Sequence, residues 1–114
     1  MSDKIINPQA AVDFMVAHSK EYAVAEANKV YMEEMRKTIK AEEMKAAELL
    51  DYKTAAMQER EAYASERYKT HLLALQEAVR KREELRWMLI AAQARIEVWR
   101  SQEASNRAQE KMTL

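Results

Sequence analysis

Apolar side chains recur at steps of three and four along almost the whole chain, and the rhythm breaks near the start and again between residues 51 and 66. From Pro8 to about Leu50 the series includes Val12, Met15, Tyr22, Ile39 and Leu49, the spacing of one face of an amphipathic helix. Asn7-Pro8 marks its beginning, because Asn caps well and Pro at the first helical position loses no hydrogen bond. Ahead of it lies a short lead, residues 1–7, in which Ile5 and Ile6 are expected to pack onto the helices. Charged pairs Glu33–Lys37 and Glu26–Lys29 support the other faces, and Arg36–Lys40 opposes them. Asp51-Tyr52-Lys53-Thr54 is the expected turn, since Asp and Thr compete locally for backbone hydrogen bonds. Thr54 then caps a short helix over about 55–64, and Ser65 caps the next, with Glu66 at its positive end. A kinked continuous helix is the alternative, but a straight rod would leave its apolar stripes bare.

The last helix, from about 66 to 110, carries the densest apolar stretch, LRWMLIAAQARIEVW from Leu85 to Trp99. Plotted at 100° per residue it separates into two stripes. The first runs through Tyr68, Leu72, Leu75, Leu85, Ala92 and Trp99. The second starts at Trp87 and takes in Ile90, Ala91, Ala94, Val98, Ser101, Ser105, Ala108 and Met112. Arg86, Gln93, Glu97 and Arg100 form one polar seam between them, and Glu84, Arg95, Gln102 and Asn106 form the other. A hairpin partner covers one stripe and leaves the second for another chain. The expected architecture is all-α: a long antiparallel helical hairpin (helices about 8–50 and 66–110, with a short helix about 55–64 in a tip at 51–65). It forms a single domain of residues 1–114 that associates into a dimeric or higher helical bundle.

Composition strengthens that expectation. The 114 residues include no Gly and one Pro, which removes most of the vocabulary of turns and hairpins. Without glycine there is no phosphate-binding loop, dinucleotide fingerprint or nucleophile elbow. Zero cysteines exclude disulfides and thiol chemistry and fit a cytoplasmic protein. No 18-residue apolar run is available to span a membrane, and MSDKIINPQA lacks the pattern of a secretory signal. Nineteen basic groups balance nineteen acidic ones. Eight and ten of these lie in residues 1–54, which leaves eleven and nine in the remainder, so neither half has the basic excess of a non-specific DNA binder.

His18 and His71 are the only histidines, and neither sits at a metal-ligand spacing, so no metal and no cofactor are expected. His18 reads as a surface residue and His71 as the edge of the first stripe. The acidic pairs Glu33–Glu34, Glu42–Glu43 and Glu83–Glu84 point about 100° apart on a helix and read as solvated faces rather than catalytic dyads. The chain is therefore not expected to be an enzyme. Arg80, Lys81, Arg82 and Arg86 form the densest basic cluster, a candidate contact for nucleic acid or an acidic partner, although Glu83 and Glu84 offset much of its charge.

Two stretches, NPQAAVDFMVAHSKEYAVAEANKVYMEEMRKTIKA and ELRWMLIAAQARIEVWRSQEASNRA, resemble small helical proteins of tailed bacteriophages, of uncharacterised function, encoded in the early region beside recombination and single-strand-binding genes. The resemblance covers most of the chain and is weakest across residues 40–65. It implies a phage origin, the host-cell cytoplasm, and a role near recombination or replication, and it carries no site residue. The expected function is that of a non-catalytic interaction protein, an accessory factor to that machinery that contacts itself and a further protein partner. The alternatives are direct DNA binding through the basic cluster and inhibition of a host defence system.

Overall fold

The computed structural model describes residues 5–113. Within them the chain is helical almost throughout and forms no strand: α1 Pro8–Leu49, α2 Ala55–Ala64 and α3 Glu66–Thr113. The all-α expectation and the three-helix order hold. The last helix runs three residues beyond the expected end, and the first stops one residue short. Of the N-terminal lead, residues 1–4 lie outside the described part. Ile6 is half-buried, but Ile5 is 97% exposed, so only one of the two isoleucines packs.

Each helix start is made by a short polar side chain. The Asn7 carboxamide oxygen accepts from the Ala10 amide at 3.1 Å and opens α1. At the other end the Tyr52 amide donates to the Ala47 carbonyl and the Asp51 amide donates to the Glu48 carbonyl, both at 3.1 Å. That is the Schellman arrangement, and Asp51 occupies its left-handed position with φ 78°. Glycine usually fills this position. In a chain without glycine it falls to Asp, one of the few other residues that tolerate it. Thr54 Oγ1 then accepts from the Met57 amide at 3.2 Å to start α2. The Gln58 amide side chain braces the tip by donating to the Tyr52 carbonyl at 2.8 Å.

Ser65 makes the second break alone. Its hydroxyl donates to the Ala62 carbonyl at 2.8 Å, ending α2, and accepts from the Tyr68 amide at 3.1 Å, beginning α3. Its extended backbone (φ −66°, ψ 146°) turns the chain between the two helices.

Packing divides the chain into two units. In Val24–Glu83 the second part of α1, all of α2 and the first part of α3 enclose Ala25, Ile39, Ala47, Ala62, Tyr68, Leu75 and Ala78. The helices there are antiparallel, because Glu26 pairs with Arg82 whereas Glu42 pairs with Arg67. The His71 ring Nε2–H donates to the Met32 carbonyl between them at 2.7 Å. Lys40 joins α1 to α2 through Glu59 at 3.6 Å and through the Tyr63 ring at 4.7 Å. In the other unit, residues 5–23 and 84–113, the buried side chains are Ala11, Leu85 and Ala92. Alanine dominates both cores, which lets helix backbones approach closely but buries little apolar area per turn.

Several pairings differ from the expected ones. Lys29 reaches Glu33 at 3.7 Å and Lys37 reaches Glu34 at 3.6 Å, while Glu26 turns to Arg82 across the helices. Lys40 is drawn to α2 and away from the repulsive Arg36 pairing. For Glu26 and Lys40 a tertiary partner outcompetes the local one, a pairing that contributes only about 0.2–0.5 kcal/mol, whereas Lys29 and Lys37 exchange one local arrangement for another.

Replacing Asp51 by Gly should leave stability unchanged or raise the unfolding free energy by up to about 1 kcal/mol, because glycine enters the left-handed region without steric cost. Asp51→Val should lower it by about 1–2 kcal/mol. Urea unfolding followed by circular dichroism distinguishes the two, and a stable Val variant would contradict the role given to this residue.

Candidate protein-interaction face

The two stripes of α3 have different fates. Along the first, Tyr68, Leu75, Ala78, Leu85 and Ala92 are buried, and Val79, Leu89, Ile96 and Trp99 are half-buried. Leu72 is the exception, 40% exposed. Along the second, Trp87, Ile90, Ala91, Ala94, Val98, Ser101, Ser105, Ala108 and Met112 are all exposed. Its large members remain open to solvent: Trp87 at 59%, Val98 at 47% and Met112 at 86%. Isolated exposed apolar residues are ordinary, but a row of them along one helix face is not. Among the described residues 100–113 only Glu103 is even half-buried, so no described helix of the same unit covers this end of α3.

Polar seams frame the open face. On one side Glu97 accepts from Gln93 at 3.4 Å and from Arg100 at 3.3 Å. The Arg86 guanidinium lies over the Trp87 ring, 5.3 Å from its centroid. On the other side the face borders an apolar groove of about 790 Å³, whose walls are Ile6, Ala10 and Phe14 against Met88, Ala91 and Arg95. A shallower depression of about 410 Å³ runs along Val98, Ser101 and Ser105.

The basic cluster is already engaged within the chain. Arg80 forms a two-pronged pair with Glu77, 2.6 Å at the shortest, and its guanidinium holds the Glu77 carboxyl below the usual carboxylate range. Arg82 is half-buried, bonded to Glu26 across the helices and to Glu83 at 2.6 Å. Arg86 sits on Trp87, and Lys81 is exposed. The structure therefore gives Arg82 a bracing role between helices, which a count of charges along the sequence does not reveal.

The remaining candidates resolve similarly. His18 is half-buried rather than on the surface: its ring stacks on Phe14 at 4.1 Å and its Nδ1–H donates to the Phe14 carbonyl at 2.9 Å. His71 is at the edge of the first stripe, bonded across to α1. Glu42 and Glu43, expected to point apart, both reach Arg67, at 2.6 and 3.6 Å. Arg67 spans the angle between them because its fork is broad and its stem long. Among the described residues no group of three His, Cys, Asp or Glu side chains is placed to hold a metal ion. No helix there is long and apolar enough to cross a membrane.

Part of the apolar series that the spacing assigns to the face of α1 is not what the helix buries. Val12, Val16, Ala23, Ala27 and Val30 on α1 are all exposed, Val16 by 71%. The buried side of α1 is instead Ala11, Ala25, Ile39 and Ala47, with polar His18 and Lys29 half-buried along the same line. The signal was available in the spacing of the alanines but was masked by the larger valines beside them. No family model matches the chain, and no curated protein or solved structure matches it.

Arg82→Ala should lower stability by about 1 kcal/mol, since it leaves Glu26 without its cross-helix cation at a partly exposed site. Arg82→Lys should recover only part of that loss, because an ammonium does not bridge two carboxylates as a guanidinium does. The midpoint of urea unfolding measures both. A gel-shift titration with single-stranded and duplex DNA at several salt concentrations tests the cluster as a nucleic-acid contact. Binding that persists after Arg80, Lys81, Arg82 and Arg86 are all changed to Ala excludes it.

Proposed function

We propose that this chain is a non-catalytic interaction protein that works by helix-face docking, first with a second copy of itself and then with a protein partner. The observation that carries the reading is the exposed apolar face of α3 from Trp87 to Met112. Such a face costs solubility unless it is covered, and a self-complementary pairing is the simplest cover. Trp87 is the anchor, as an exposed indole contributes more to an interface than any other side chain on this face. The groove beside it adds a concave apolar surface to the same side of the unit.

The resemblance to early-region phage proteins supports a place for that docking. The proposed role is accessory to phage recombination or replication, exerted through protein contact in the host-cell cytoplasm. Direct DNA binding is the less favoured reading, because two of the four cations it would use, Arg80 and Arg82, are drawn into pairs with Glu77, Glu26 and Glu83.

Light scattering at tens of micromolar should give the mass of a dimer or higher oligomer. Changing Ala94 or Ser105 to Arg should return it to a monomer while leaving the far-ultraviolet circular dichroism helical. A monomeric wild-type chain at that concentration overturns the proposal.

A further inference from the structure

We infer that the open face of α3 pairs with the same face of a second copy in antiparallel register, with the two-fold axis passing between Trp99 and Arg100. This rests on the self-association proposed above and specifies its geometry. The outward positions 87, 91, 94, 98, 101, 105, 108 and 112 are separated by four, three, four, three, four, three and four residues. That series reads the same from either end, so reversing the second helix superimposes every position on another. Trp87 then meets Met112 of the second copy, Ala91 meets Ala108, Ala94 meets Ser105, and Val98 meets Ser101. Symmetry repeats each layer on the other side of the axis.

Size and charge both favour this alignment. Small residues occupy the central layers and allow the helix axes to approach to about 8 Å. The bulky side chains fall at the two ends, where the Met112 thioether, 86% exposed in the single chain, lies against the Trp87 indole. At the flanks, Arg95 faces Gln102, Met88 faces Gln109, Glu97 faces Ala104 and Ile90 faces Lys111, and no like charges meet. Sliding by one heptad in one direction sets Arg95 against Arg95 and Glu97 against Glu97. Sliding in the other leaves Trp87 with no partner. A parallel pairing would align the helix dipoles unfavourably and press two indoles together at one end.

The paired stretch of 26 residues is about 39 Å long and about one helix diameter wide, a footprint on the order of 400 Å² per chain. Two such footprints bury about 800 Å² in all, below the roughly 1,200–2,000 Å² of a standard stable interface, so the expected pairing is weak and concentration-dependent.

The chain has no cysteine, so introduced thiols report alone. Ala91→Cys and Ala108→Cys proteins are prepared separately, checked for helicity, then oxidised mildly either singly or after mixing and subunit exchange. The expected result is a disulfide-linked dimer in the mixture and none in either protein by itself. In the antiparallel register residue 91 is about 25 Å from its symmetry mate, far beyond the roughly 7 Å that a disulfide spans. Cross-linking of Ala91→Cys by itself overturns the register in favour of a parallel pair. No cross-link in the mixture, with a wild-type chain that sediments as a dimer, overturns the register and leaves self-association standing. A wild-type chain that sediments as a monomer overturns both.

Discussion

The structure depends on how a chain without glycine reverses direction. Helix reversal needs carbonyls satisfied at one end, amides satisfied at the next, and one residue in the left-handed region between them. Asp51 supplies that residue and Thr54 captures the next amide, whereas Ser65 makes the second break in extended backbone, its hydroxyl serving both helix ends. Each is a modest local term, of about 1 kcal/mol for a cap. Without them α1 and α3 would continue as a rod, and Arg67, His71 and Arg82 would have no partners on α1 to reach.

Once the reversal is made, geometry limits what can be buried. A pair of helices covers one stripe on each, and α3 carries two. The stripe that contains Tyr68, Leu75 and Leu85 is covered, and the one that starts at Trp87 is left to solvent. The cores are built largely of alanine, so the helices sit close but gain little area. Cross-helix contacts such as Arg82 to Glu26 and His71 to the Met32 carbonyl add direction to this pairing, because they are satisfied in one register only. The open face is thus a direct consequence of the architecture, and it is the feature on which the proposed docking and its antiparallel geometry both rest.

Much of this was legible in the residues. Asn7, Thr54 and Ser65 announced the three helix starts because capping depends on local sequence alone. The two stripes of α3 could be separated by angle, because helical periodicity is fixed by the backbone. The buried side of α1 was harder to read. Val16 and Val30 are more apolar than Ala11 and Ala25, yet the alanines are buried and the larger side chains are exposed. Close approach of two helices selects small residues, and hydropathy alone ranks them in the opposite order.

The sequence by itself determined the helices, their ends and the existence of two apolar faces on α3, because caps, propensities and the 3.6-residue period act over a few neighbouring residues. Tertiary structure decided which face each helix buries and which charges pair. It drew Arg82 toward Glu26, set Arg67 between Glu42 and Glu43, and joined His71 to the Met32 carbonyl. Those choices turn on the distance between helix axes and on contacts between residues as many as 56 positions apart, which no local pattern encodes.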